Sequence, residues 1–294
     1  MNLLALILGL VVERLLTHLF HLREFRWLDP LFDRAFDWLG QRSRRTAQLG
    51  VGLLTLALVV PVDLLELVVV ERFGYLPAFL LAVGVLLFCL GPRDLVEEVE
   101  DYEAAVAGGD TPAAEAYAAE LLEGSAPEFA GDHAVEHAVY AQANNRIFGV
   151  VFWFVLLGPS GAWLFRVMDL MRRRANSRAA VSDDAGCSQC AAVVLQLHGL
   201  LAWVPARLLM IGYGLAGNYD GALQAWRSFS PQMTQPNWGL AGELLGVVGT
   251  GAAPARGEDD LGARARMALE LVNRVLWTIC CPILALLTLY DWIA

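Results

Sequence analysis

The sequence predicts an all-α, polytopic membrane protein with about four transmembrane helices, a re-entrant helical hairpin and a helical cytoplasmic region. Three observations carry that prediction. Of the 294 residues, 57% are hydrophobic and 18% charged, and the mean hydropathy is +0.50, a balance that excludes disorder and lies above that of water-soluble domains. The apolar residues gather in blocks of about 20, the helical length that crosses a hydrocarbon core about 30 Å thick. Arginine, finally, clusters between the blocks as it does in cytoplasmic loops.

Residues 1–91 read as N-terminal membrane helices. The first run, 3–22, is interrupted by Glu13 and Arg14 and opens at Met1 without a basic leader or a small-residue cleavage site, so a retained helix is expected. Residues 49–70 and 75–91 form an antiparallel pair around the Glu71 to Gly74 turn, with a kink expected at Pro61. Residues 92–146 carry 13 acids against two arginines and read as an acidic cytoplasmic helical loop, broken at Gly108-Gly109, Pro112 and Gly124 to Pro127.

Residues 147–217 read as a membrane-embedded hairpin followed by a Pro-broken helix. Within 147–168 the apolar string is cut by Gly158-Pro159-Ser160-Gly161. Each arm of about 11 residues reaches only about 16 Å, half a bilayer, so the segment is expected to enter and return. Residues 191–217 are broken in the reading at His198-Gly199, Pro205 and Arg207, and are expected to pack against the hairpin. Residues 218–270 are a Gly/Pro-rich loop with short helices, and 271–294 hold the C-terminal transmembrane helix. The arginines of residues 23–45 and Arg172, Arg173, Arg174 and Arg178 then share the cytoplasmic side, with both termini outside.

All 21 basic residues are arginine, which excludes a lysine Schiff base and a Walker A phosphate loop. The net charge of −10 argues against nucleic acid as a partner, and five cysteines, three of them in apolar runs, argue against a disulfide framework. His133-Ala-Val-Glu136-His137 matches the inverted zinc-protease pattern, and Cys187-Ser-Gln-Cys190 is a lone C-x-x-C. Each lacks further ligands in the sequence, so the first reads as an amphipathic helix and the second as two loop thiols; no catalytic residue, metal or cofactor is assigned.

Polar groups embedded in apolar context carry more information, because a charge near the bilayer centre costs about 2.5 to 3.5 kcal/mol and must pair or face a cavity. They are Glu13, Arg14, Asp63, Glu66, Asn144, Asn145, Arg146, Arg166, His198 and Arg207. From them we predict a ligand site: Arg166 and Arg207 as anion-binding groups where the hairpin meets the Pro205 segment, with Asn144, Asn145, Arg146 and His198 contributing. The ligand expected there is a membrane lipid or an anionic cell-wall intermediate, since guanidinium suits bidentate phosphate recognition. Pairing of these arginines with Glu13, Asp63 or Glu66 is the alternative. Self-association through the first and last spans is also expected, with Gly50 and Gly52 permitting close helix approach.

Four strings, VVERLLTHLFHLREFRWLDP, GPRDLVEEVEDYEAA, NNRIFGVVFWFVLLGPSGAWLFRVMDLM and LLAWVPARLL, occur in that order along the chain. They resemble the AmpE family of inner-membrane proteins, and the resemblance implies a signalling modulator in β-lactamase induction and cell-wall recycling. GPSGAWLFR and WVPAR are also similar, more distantly, to the CobD/CbiB cobinamide-phosphate synthases, membrane enzymes that join an aminopropanol unit to cobyric acid at the expense of ATP. The synthases' acids are replaced here: Gly124-Ser125-Ala126 stand for Arg-Asp-Thr, Asn144-Asn145 and Phe148 for Glu-Asn and an Asp, Arg172 for an Asp, and His198-Gly199 for paired Asp. Carboxylates that would hold Mg²⁺ being replaced, the resemblance implies a non-catalytic binding or signalling protein, with a membrane-embedded transferase as the alternative.

Overall fold

The computed structural model describes residues 25–90, 95–123, 133–181, 184–229, 240–254 and 260–286. Among these the regular structure is entirely helical. The expected first span, with Glu13 and Arg14, lies outside the described residues, as does the end of the last one. The chain divides into two compact units, taken separately below.

The first unit contains α1 (Asp29–Gly40), α2 (Arg44–Phe73), α3 (Tyr75–Cys89), α7 (Gly149–Leu157), α8 (Pro159–Val181) and the beginning of α9 (Ala185–Ala216) as far as Leu201. Ser43 caps α2 by accepting from the Thr46 N–H, and α2 then runs 30 residues, about 45 Å at 1.5 Å per residue. Pro61 stays inside the helix. Gly74, at φ 82°, makes the reversal into α3, where a side chain would be strained.

Ala47, Val51 and Thr55, spaced by four, form the buried stripe of α2. Its opposite stripe, Leu49, Leu53, Leu56, Val60, Leu64 and Leu67, is exposed, the reverse of a water-soluble helix. Along the buried side α8 runs antiparallel: Ser160 donates to Asp63 (3.0 Å), Trp163 Nε1 to the Leu58 carbonyl (2.9 Å) and Thr55 to the Met168 sulfur (3.2 Å). The break expected at Gly158 is present, with φ 68°, and α7 returns against α8 so closely that a Cβ on Gly161 would collide with the Trp153 carbonyl. Phe32, Phe36 and Leu39 of α1, Val167 and Met171 of α8 and Val193 and Val194 of α9 share one core.

The second unit contains α4 (Leu95–Ala107), α5 (Thr111–Leu122), α6 (Ala134–Ala143) with a π turn (Asn144–Phe148), the rest of α9, α10 (Tyr219–Phe229), α11 (Ala241–Ala252) and α12 (Leu261–Val275) with a second π turn (Leu276–Cys280). The predicted break between α4 and α5 falls at Gly108-Gly109, and Asp110 caps α5 by accepting from Ala113 N–H. Glycine-rich α11 lies on α6, with Gly246 against the His137 ring and Gly249 against the Tyr140 ring.

Among the described residues, three helices are long and apolar enough to cross a membrane: Arg44–Phe73, Ala185–Ala216 and Leu261–Leu286; Tyr75–Cys89 is apolar but shorter. Two expectations are corrected. Residues 191–217 are not Pro-broken; α9 is a single 32-residue helix with Pro205 inside it. His198 and Gly199 accept helical geometry there, and a proline ring costs one backbone hydrogen bond, which a well-packed apolar helix tolerates. The last span also starts earlier than expected, at Leu261 rather than Leu271, because Asp260 caps it with Oδ1 accepting from the Gly262 and Ala263 N–H groups.

Candidate functional site

In the first unit the predicted residues Arg166 and His198 meet at a residue the sequence reading missed. Asp169 is fully buried. It accepts from Arg166 Nη1 (3.0 Å) and from Arg172 Nε (3.1 Å) and Nη2 (2.7 Å), Arg173 Nε lies at 3.2 Å, and His198 Nε2 at 3.9 Å. Helical periodicity builds this cluster: Arg166, Asp169, Arg172 and Arg173 stand at i, i+3, i+6 and i+7 on α8, so all four share one face. His198 enters from α9, its ring tilted against Phe165 with centroids 5.3 Å apart. Arg166 and Arg172 are buried with Asp169, while the Arg173 side chain keeps 23% of its exposure.

In the second unit the predicted residues Asn144, Asn145 and Arg146 occupy the π turn that ends α6, a distortion often associated with function. Arg146 is held structurally: Nη1 donates to Glu98 (2.9 Å) and Nη2 to Glu123 (3.0 Å), with all three side chains buried. Burial alone would lower the Arg146 pKa, but Glu123 and Glu98 outweigh it and raise it. Glu123 reaches this position from a left-handed backbone at φ 50°, a conformation that costs a non-glycine residue about 1 kcal/mol or more and that the ion pair offsets.

Along the α6 face, His137 Nδ1, the Tyr140 hydroxyl and Asn144 Oδ1 are buried without a protein partner, as is Thr250 Oγ1 on α11. His137 is stacked on His133 at 6.2 Å, and burial first, then His133, lowers its pKa to about 4. His133 Nδ1 lies 3.0 Å from Glu136 and 3.2 Å from Arg264. His133 of the H-x-x-E-H string thus faces a guanidinium, an unfavourable neighbour for a bound cation. Among the described residues no three His, Cys, Asp or Glu side chains are grouped as a metal site requires.

Arg207 is in this second unit, lying over the Trp203 ring at 3.8 Å, with Trp226 at 6.0 Å. Its i−4 spacing from Trp203 was readable in the sequence. The tryptophan face offers a partly buried guanidinium a partner that is not an acid.

The family described as regulatory signalling modulator protein AmpE matches residues 1–293 of the chain. Curated relatives include a "Cobalamin biosynthesis protein CobD" of Stutzerimonas stutzeri (strain A1501), 33% identical over 129 residues that make up 42% of this chain and 41% of that protein. Another protein of the same description, from Chromobacterium violaceum, is 27% identical over 220 residues, 66% of this chain and 67% of its own. The match to the first thus spans well under half of that relative's length. No solved structure matches the chain.

Proposed function

Because the chain belongs to the AmpE family of regulatory signalling modulators, we propose that it is a non-catalytic, multi-pass protein of the inner membrane. In this reading it modulates β-lactamase induction and cell-wall recycling by holding an anionic, phosphate-bearing ligand at the Asp169 cluster. The observation that carries it is the convergence of three guanidiniums and an imidazole on one carboxylate. Each guanidinium brings five N–H donors in a fork that fits phosphate, while a carboxylate offers about four lone-pair sites.

The same convergence speaks against Mg²⁺ chemistry at this place. A carboxylate already neutralised by guanidinium is a poor ligand for a divalent cation, and two of the surrounding groups, Arg172 and His198, stand where the resemblance puts synthase acids. Relationship to the CobD proteins supports the second reading, a membrane-embedded transferase.

For topology we propose four crossings, both termini outside, with the α7–α8 hairpin re-entrant. The ladder from Ser160 at Asp63 back to Met168 at Thr55 supports a hairpin tip deep along a span that starts near Leu49. Cysteines placed at Asp110 and Asp184 should resist an impermeant reagent added outside; labelling of both overturns this arrangement.

The ligand reading is tested by titrating the full chain in neutral detergent with inorganic pyrophosphate and, separately, short-chain phosphatidic acid. Saturable binding that weakens tenfold or more in Arg173→Gln, whose partly exposed side chain can be changed without emptying the core, is expected. Absence of saturable binding to both, or equal binding by the variant, overturns it. Magnesium-dependent ATP hydrolysis that disappears in Asp169→Asn would instead favour the transferase.

A further inference from the structure

We propose that α1 is an interfacial helix, whose outer face of Leu31, Arg34 and Trp38, flanked by Trp27 and Arg42, seats on anionic phospholipid headgroups at the membrane surface where α2 enters. The inference rests on reading α2 as a membrane span, and it concerns the first unit alone.

The other two faces of α1 are already engaged. Leu28, Phe32, Phe36 and Leu39 are buried in the core. Asp29, Asp33 and Asp37, spaced by four, meet Arg174 and Arg178 of α8: Arg174 donates to Asp33 at 2.8 and 2.6 Å, Arg178 bonds Asp37, and Asp29 lies 3.9 Å from Arg174. The Arg174 hydrogen bond holds the Asp33 carboxyl below its ordinary pKa. This ladder offsets two of the three acidic charges of α1, and Arg34, Arg42, Arg44 and Arg45, all exposed, leave the outward local field positive.

The third face is the unusual one. Leu31, Arg34 and Trp38 advance by three and four residues, one stripe of a helix; Trp27 stands in the 3-10 turn Arg26–Leu28 that leads into α1, and Trp27 and Trp38 remain 69% and 55% exposed. Arg42 lies over the Trp38 ring at 5.0 Å. Indole rings with a flanking guanidinium are matched to the headgroup layer, where the ring's body meets apolar chains and its N–H and the cation meet phosphate.

Position supplies the argument for lipid. Only Gln41, Arg42 and Ser43 separate α1 from α2, which holds the end of α1 within about 14 Å of the first turn of the span. The outward stripe of α2 begins at Leu49, barely more than one turn into the helix. The exposed face of α1 therefore borders surface that the span gives to lipid, and anionic headgroups complement Arg34 together with Arg42, Arg44 and Arg45, which follow the helix.

A nitroxide amino acid placed at Leu31, at Leu56 of the α2 stripe or at Asp110 tests this in the full chain. The chain is reconstituted in phosphatidylcholine vesicles with or without one third phosphatidylglycerol, and collisions with oxygen and with a water-soluble nickel chelate give the depth of each label. With phosphatidylglycerol present, Leu56 should lie deep in lipid, Asp110 in water and Leu31 at the headgroup level. In an Arg34→Gln, Arg42→Gln variant the seated population should fall about fivefold per guanidinium removed.

Leu56 in water overturns the membrane reading itself. Leu56 in lipid with Leu31 as open to nickel as Asp110 overturns the interfacial helix alone, as does Leu31 shielded from both reagents, the sign of a protein partner. A depth at Leu31 that ignores both phosphatidylglycerol and the arginine changes overturns recognition of anionic headgroups.

Discussion

In one unit Asp169 gathers Arg166, Arg172, Arg173 and His198, and in the other Arg146 sits between Glu98 and Glu123. Both centres are buried, yet they are built in opposite ways. The Asp169 cluster is almost wholly local, three of its four partners being about one turn away on the same helix. The Arg146 centre draws its acids from 48 and 23 residues away and so fastens α4 and the end of α5 to the π turn. A local cluster surrounds its carboxylate with donors and can share them with an incoming anion. The long-range one balances its charge by closing the fold, and we read it as purely structural.

The largest effect is expected for Asp169→Asn, which leaves the guanidiniums without their common carboxylate. Loss of one member of a buried ion network costs about 5 kcal/mol, read as a lowered unfolding temperature of the full chain in detergent. A loss under about 1 kcal/mol would break the comparison, since Asp169 would then not be the centre of its cluster. Arg146→Gln should cost about 3 kcal/mol, because Glu98 and Glu123 can relieve their mutual repulsion by taking up a proton. If the contrast is right, adding pyrophosphate should leave the Arg146→Gln deficit unchanged.

Two buried histidines extend the contrast. His198 has Asp169 beside it, whereas His137 has His133 and the backbone of Gly246. The folded-state pKa of His137 is lowered from 6.5 to about 4, so between those values the unfolded chain binds a proton that the folded chain refuses. Stability is therefore full above pH 6.5 and falls as the pH drops towards 4, by roughly 2 to 3 kcal/mol. His137→Gln should flatten that part of the stability curve. The smallest effect is expected at Arg207: replacing it with Gln removes a cation–π contact worth about 1 kcal/mol, with no effect on pyrophosphate binding if the site lies wholly at Asp169.

Much of the architecture was legible because hydrophobic blocks and Gly/Pro breaks are local signals. The exposed leucine stripe of α2, the reversal at Gly74, the break at Gly158 and the turn at Gly108-Gly109 all follow from short strings. The continuity of α9 did not, because whether His198-Gly199 and Pro205 end a helix depends on the packing around them. At the candidate site the arginines were visible and their acid was overlooked. Asp169 is not among the embedded polar groups the sequence singles out, although its i−3, i+3 and i+4 spacing to Arg166, Arg172 and Arg173 is readable there. The partners of Arg146 were not readable, being fixed by tertiary contact alone.

The contact between Gly161 and the Trp153 carbonyl has a consequence for how the chain is made. The first arm of the hairpin, α7, has nine residues, too few to persist as an isolated helix, and it leaves the ribosome before the arm that supports it. Backbone touches backbone at Gly161, so a lipid tail caught between the arms would have to be expelled before they could close. A pause in synthesis after Leu157 would leave α7 without the arm that supports it.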